Sequence, residues 1–455
     1  MECFQKFFYQ NLSSRNSLII FQFQNITLTD FISNLESFPQ EILVLNNRIE
    51  LFIDVFNEIG SFDKLENVEK DCQAILDWSW EKLNIGVWSK VDIKYRYLFA
   101  YHRLLEAVLR CIRFVYENVK IPVLDGLISI LEPLDDALIM SPDLVTKNNF
   151  SLTRVANSLH KDYISTRLFD NNDSCFKIKF HSVLNQLKQF SSKKWNISVP
   201  KTILNSNIIP KIEHSILDLI SFQKDFLCQN HPLIITGAMK DWFCFSANSS
   251  RIWNFENLLD RIGFRTVPIE IGNSYTEEDW SQKLMKFVDF VNEHVCGSPE
   301  TIGYLAQYSL FQQIPELASD FSIPDYCAAE RDNTEESFSP VDINVWIGPA
   351  GTVSPLHTDK RDNIFVQITG RKFVRIISSD VPPEQIYPFD GLQSNTSQVN
   401  IENPQTEIFS SFSDIDPQLI SDTIIEPGEM LFIPRMYWHF VKSLEPSISL
   451  SFWFN

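Results

Sequence analysis

Apolar residues recur three and four positions apart through IELFIDVFNEIG, NVEKDCQAILDWSWEKLN and YRYLFAYHRLLEAVLRCIRFVYENV, between Arg48 and Val119. That spacing lays them along one stripe of a helix and predicts a series of amphipathic helices. LDGLISILEPLDDALIM and SLTRVANSLHKDYIS continue the pattern. No fixed repeat links the segments, so they predict a bundle in preference to a solenoid. From Met1 to about Glu41 no period is sustained. Ser191 to Pro210 is polar, carries Pro200 and Pro210, and reads as a connection between two domains.

Beyond Pro210 the period shortens. HPLIITG and RTVPIEIG are β-branched runs closed by glycine, and EEDWSQKLMKFVDFVNEH after them has the spacing of an amphipathic helix. From Asp342 onward INVWIG, IFVQITG, KFVRIIS, TIIEP, EMLFIP, HFVKSL and SISLSFWF are short strand-like runs separated by turn residues. Many short strands at close spacing predict a sandwich or a barrel. The predicted class is therefore α+β, with an all-α N-terminal domain over 1–200 and a β-barrel domain with flanking helices over 201–455.

A chain of 455 residues has room for two domains, and its 44% hydrophobic and 21% charged residues suit a soluble globular protein. The formal net charge of −19 argues against binding nucleic-acid backbones and favours basic peptides or proteins as partners. The eight cysteines, Cys3, Cys72, Cys111, Cys175, Cys228, Cys244, Cys296 and Cys327, form no Cys-x-x-Cys pair. They read as reduced thiols of an intracellular protein, with neither a zinc knuckle nor a disulfide framework. MECFQKFFYQNLSSRNS lacks the form of a secretory signal, and no apolar run is long enough to predict a membrane span. Composition does not separate nuclear from cytoplasmic residence.

The chemistry concentrates in VWIGPAGTVSPLHTDKRDNIFVQITGRKFVR. One residue separates His357 from Asp359, so on an extended strand both side chains point to one face. His439 follows downstream in PGEMLFIPRMYWHFV, again between strand-like flanks. Two imidazoles and a carboxylate make the facial triad that leaves positions open on a non-haem iron(II). A bare His-x-Asp is more often a surface or capping pair; here the turn entering at GPAGTVSPLH, the returning strand at PGEMLFIP and Lys372 on the following strand strengthen the metal reading. A metal held by strand side chains inside a barrel mouth points to a double-stranded β-helix of the cupin type.

Lys372 has two readings. Buried, its ammonium needs a partner, which a ligand carboxylate would supply; exposed, it is a strand lysine beside Arg371 and Arg375. Tyr304, Trp346, Trp438 and Trp453 each read as core aromatics, and Ser354 and Asn363 as turn or cap residues.

At these residues the chain resembles a known family. WIGPAGTVSPLHTD, NIFVQITGRKF, NTSQVNIENP and PGEMLFIPRMYWHFV with SFWF are similar to the JmjC-domain Fe(II)/2-oxoglutarate-dependent oxygenases, and within them to the arginyl-hydroxylase group also called lysine demethylase 8. RTVPIEIG, GYLAQ, QIPELASDFSIPDYC and LDWSWEKLNIGVW extend the similarity from about Cys72 to Asn455. The resemblance implies that His357, Asp359 and His439 ligate Fe(II), with 2-oxoglutarate and O2 as co-substrates. It implies Tyr304, Ser354, Asn363, Lys372 and Trp453 around 2-oxoglutarate, and Glu270, Gln307 and Trp346 near the substrate side chain. It also implies a nuclear protein acting on chromatin or on other basic, arginine-containing proteins, histone or ribosomal.

Several activities fit that resemblance: arginyl C-hydroxylation, histone lysine demethylation, metal-dependent endopeptidase action on histone tails, or a non-catalytic reader or scaffold. A guanidinium calls for a planar acceptor and a stacking face, which Glu270 and Trp346 would provide. A methylammonium calls for an aromatic cage. No His-Glu-x-x-His helix supports a protease. In the helical half, the Trp78, Trp80 and Leu83 face reads as core, and the domain as a whole as a mount for protein partners or self-association.

Overall fold

A computed structural model describes the chain from residue 27 onward, except residues 28–29, 33–36, 60–64, 87–89, 117–121, 146–149, 166–167, 169–173, 191–194, 196, 201–205, 273–275, 277–279, 298–300 and 332–338. The chain before residue 27 and much of the expected Ser191 to Pro210 connection lie outside the described residues. The chain divides into two compact units, one of Met1–Ser182 with Asp260–Val267 and Lys286–Val288, the other of Val183–Leu259, Pro268–Met285 and Asp289–Asn455. The division falls inside the helix Cys175–Phe190 and not at residue 200, and two short pieces of later sequence join the helical unit.

The helical unit contains helices Gln40–Ile59, Leu65–Leu83, Ile93–Tyr116, Val123–Met140 and Leu152–Ser158, the last running on as a π-helical turn, Leu159–Ile164. Ile75, Leu98, Tyr101, Leu127 and Leu131 are buried, as the apolar stripes require. The tryptophan face departs from expectation: Leu83 is buried, but Trp80 is 47% exposed. Trp78 packs edge-on against Phe38 and Tyr95, whereas Trp80, two residues on and so on the other side of the helix, stays half-exposed beside Phe99. No described helix is long and apolar enough to cross a membrane.

The second unit is built on strands β1 Lys211–Glu213, β2 Leu233–Thr236, β3 Thr266–Ile271, β4 Ser281–Lys286, β5 Gly303–Tyr308, β6 Asp342–Gly348, β7 Val353–Thr358, β8 Asp362–Thr369, β9 Lys372–Ile377, β10 Ile420–Ile425, β11 Glu429–Ile433, β12 Trp438–Ser443 and β13 Ser447–Phe454. They form a nine-stranded sheet in the order β1-β2-β11-β8-β13-β6-β5-β3-β4 and a four-stranded sheet in the order β10-β9-β12-β7. From β6 onward the chain passes from one sheet to the other at every step except β9 to β10, which pair within the four-stranded sheet, the connectivity of a double-stranded β-helix.

Period-2 alternation decides which residues meet inside it. On β9, Val374 and Ile376 join Phe365 of β8, Leu431 and Ile433 of β11 and Val441 of β12 in a cluster drawn from both sheets. Phe373 and Ile377, of the opposite parity, pack with Val381, Ile386, Val399, Ile401 and Phe412 of the long β9–β10 connection. Lys372 shares the parity of Val374 and Ile376 and therefore points inward.

One expected element is different. EEDWSQKLMKFVDFVNEH is no continuous helix: Ser281–Lys286 is β4, followed by a helical turn Phe287–Phe290 and a π-helical turn Val291–Cys296. Ser281, Gln282, Lys283 and Leu284 are exposed, so this piece is an edge strand where sheet pairing wins over a helical spacing with few apolar residues to enforce it.

Candidate metal centre

His357 lies on β7 and His439 on β12, and the antiparallel register sets them directly opposite each other. Their ring centroids are 4.1 Å apart. Asp359 follows β7 at once, and its Oδ2 stands 3.6 Å from His439 Nε2. One ligand atom from each of the three residues lies within 4.8 Å of the other two, the only such His/Cys/Asp/Glu group among the described residues.

The backbone fixes this convergence. His357 Nδ1 is 2.7 Å from the Pro355 carbonyl and His439 Nδ1 is 3.1 Å from the Tyr437 carbonyl. A carbonyl only accepts, so each Nδ1 carries the proton and each Nε2 keeps its lone pair for a metal. Burial, reinforced by the neighbouring His357 and opposed by Asp359, pulls His439 down to about 4. It is therefore a neutral imidazole at physiological pH. Met436, at φ 65°, donates its N–H to the Asp359 carbonyl at 2.8 Å and ties the turn before β12 to the third ligand.

The triad shares a cavity with Tyr304, Trp346, Ser354, Asn363, Phe365, Lys372, Ile433, Val441, Ser451 and Trp453. Lys372 is 1% exposed, which decides between its two readings. Its Nζ donates to Tyr304 Oη at 3.2 Å, and no carboxylate pairs with it among the described residues. Gly348 makes room for that phenol, because a Cβ there would come within 2.7 Å of the Tyr304 ring. Asn363 on β8 and Trp453 on β13 are register partners, and Asn363 Oδ1 and Trp453 Nε1 are both buried without a hydrogen-bond partner.

A triad of lone pairs at one end, a buried lysine amino group without a counter-ion, and an orphaned carbonyl and indole N–H facing the same space fit a divalent cation chelated by a dicarboxylate. The donor set, nitrogen and carboxylate with no thiolate, suits iron(II).

All three expected metal residues come together, as do Tyr304, Ser354, Asn363, Lys372, Trp453 and Trp346. Glu270 and Gln307 do not line the cavity. Glu270 is the register partner of Tyr304 and accepts from Trp280 Nε1 at 3.3 Å, and burial pushes its carboxyl up. Gln307 is exposed, at φ 47°, in the irregular stretch between Leu305 and Tyr308. Sequence reasoning passed over Ser451, which accepts from Trp346 Nε1 at 2.9 Å and steadies that indole. The signal was present in SISLSFWF, where Ser447, Ser449, Ser451 and Trp453 alternate with Ile448, Leu450, Phe452 and Phe454.

Fold and site together define a JmjC-type cupin oxygenase, and the chain belongs to that family: residues 220–455 match the cupin-like domain. Over its wider length it is 34% identical to "Lysine-specific demethylase 8" of Danio rerio, across 93% of this chain and 97% of that protein. The protein of the same name in Xenopus tropicalis is also 34% identical, across 84% of this chain and 88% of its own length. "Lysine-specific demethylase JMJ30" of Arabidopsis thaliana is 37% identical over 52% of this chain and 53% of its own. The protein is a 2-oxoglutarate-dependent dioxygenase of the lysine demethylase 8 group, using Fe(II) and 2-oxoglutarate.

Proposed function

We propose that the chain hydroxylates an arginyl side chain of a basic protein. His357, Asp359 and His439 hold iron(II), and Lys372 holds the distal carboxylate of 2-oxoglutarate, with Tyr304 and Ser354 beside it and Asn363 and Trp453 along the cavity. Bound together, iron(II), 2-oxoglutarate and dioxygen supply the oxidising power for a C–H bond. The protein's part is positional. Neutral imidazoles and one carboxylate leave the metal its positive charge, the Lys372 ammonium fixes the depth of the keto acid by a charge-assisted bond, and the apolar walls of Phe365, Ile433 and Val441 exclude water.

What supports the arginine reading is Glu270, the register partner of Tyr304, whose ring lies 5.9 Å from that of Trp346 in the cavity. A carboxylate with an aromatic face is the pairing a planar guanidinium requires. The net charge of −19 favours approach of a basic partner. Nuclear residence accords with this reading, and imaging of the tagged full-length protein would test it.

The printed names of the relatives favour a second reading, removal of methyl groups from lysine. Mass spectrometry of arginine- and methyl-lysine-containing peptides with and without 2-oxoglutarate separates the possibilities. Gain of one oxygen atom on arginine supports hydroxylation. Loss of a methyl group from lysine replaces it with demethylation. Cleavage that survives chelation belongs to a contaminant, and a His357→Ala variant with full cellular function would make the chain a reader or scaffold.

A further inference from the structure

Lys372 opens β9, with Ile425 of β10 and Ser443 of β12 as register partners. Its surroundings are poor in compensation. Besides the Tyr304 hydroxyl, its Nζ meets the Phe365 ring at 5.2 Å and the Tyr304 ring at 5.7 Å from their centroids. The titratable groups sharing its cavity are Tyr304 of β5, His357 with Asp359 after β7, and His439 of β12. Glu270 of β3 stands opposite Tyr304. The nearby cations are already engaged, Arg375 with Asp422 and Lys442 with Glu402. Burial drives the Tyr304 phenol far up, so it stays neutral and offers Lys372 a dipole and no charge.

An ammonium stripped of water loses solvation that an aromatic face returns only in small part. Burial alone pulls Lys372 down to about 7. We infer that Lys372 is a neutral amine in the unliganded cavity above neutral pH and takes up a proton from solvent when the distal carboxylate of 2-oxoglutarate settles against it. The co-substrate thus enters with a proton. The inference rests on the proposed role of Lys372 as the carboxylate's partner.

The direction follows from linkage. An adjacent carboxylate favours the charged amine, so the complex keeps its proton to higher pH than the free site does. Between those limits the complex holds one proton more, and affinity weakens roughly tenfold per pH unit above the free-site value. Below it the amine is already charged and binding carries no proton.

The test is anaerobic calorimetry on full-length protein preloaded with manganese(II), so that the imidazoles are already committed, with 2-oxoglutarate titrated in buffers of different ionisation enthalpy. Uptake approaching one proton per 2-oxoglutarate at about pH 8, falling toward zero at about pH 6, is the expected result. Lys372→Arg, whose guanidinium stays charged, should bind without uptake. If that variant does not fold, the NMR signal of the methylene next to Nζ in the wild-type protein reports the same change of charge on adding 2-oxoglutarate. Intact binding with no uptake at about pH 8, or a methylene signal already that of an ammonium, overturns the inference and leaves the role of Lys372 standing. Equal affinity in wild type and Lys372→Met overturns that role itself.

Discussion

His357 and His439 stand directly opposite each other across β7 and β12 with their rings tilted by 51°, and each turns Nδ1 to the carbonyl two residues earlier in the chain. The pair is thus locked in one tautomer by backbone alone, before any ion arrives. His439→Ala should abolish tight iron binding, weakening it more than about 100-fold, since even residues that merely orient metal ligands account for 10–100-fold. Metal content after dialysis reads this directly. Retention of a full equivalent of iron would remove His439 from the ligand set.

Tyr304 is the hydrogen-bond partner of Lys372 among the described residues. Tyr304→Phe keeps the ring and removes the hydroxyl, so it should raise the KM for 2-oxoglutarate about 5–10-fold, the worth of one such bond, with a smaller change in kcat. Gly348→Ala should act in the same direction, because its new Cβ falls 2.7 Å from the Tyr304 ring and must displace it. An unchanged KM in both variants would separate Tyr304 from the co-substrate.

The barrel strands and the triad were legible because both are written in local pattern: alternation, turn residues, and a His-x-Asp spacing that period 2 converts into a shared face. The inward aim of Lys372 was also encoded, since it shares parity with Val374 and Ile376, but its burial was not. That depends on β5 bringing Tyr304 against it from 68 residues away. Edge strand β4 was misread because its exposed residues gave the sequence neither a buried face nor a breaker. The buried pairing of Asp135 with Arg265, 130 residues apart, had no local signature at all.

His102 and His160, both in the helical unit, predict an acid-labile fold. Burial pulls His102 down to about 4, and burial with the neighbouring Arg265 pulls His160 to about 3. Both lie below the unfolded value of about 6.5, so the unfolded chain binds more protons as the medium acidifies. Stability is complete above about pH 6.5 and is lost progressively from there to about pH 4 for His102 and about pH 3 for His160, by roughly 3–5 kcal/mol each. Denaturant midpoints measured across that range should fall, and a His102→Gln, His160→Gln double variant should show a flatter profile. An equally steep profile in the variant would assign the acid sensitivity to other groups.

Asp135 and Arg265 are 0% and 1% exposed, an ion pair sealed from water. Arg265 Nε lies 2.9 and 3.1 Å from the two carboxylate oxygens, Thr266 N–H donates to the same carboxylate at 2.8 Å, and Arg265 also donates to Asn157. Because both carboxylate oxygens are engaged, the carboxylate anchors 260–267 to the helix Val123–Met140 within one compact unit. Asp135→Ala strands a buried guanidinium and should cost about 3–5 kcal/mol, whereas Asp135→Leu combined with Arg265→Met should recover most of that loss, since desolvation of both charges is then avoided. Chemical denaturation of the three proteins decides it. A single variant as stable as wild type would mean that water reaches Arg265, and the pair would then be a surface contact worth less than about 1 kcal/mol.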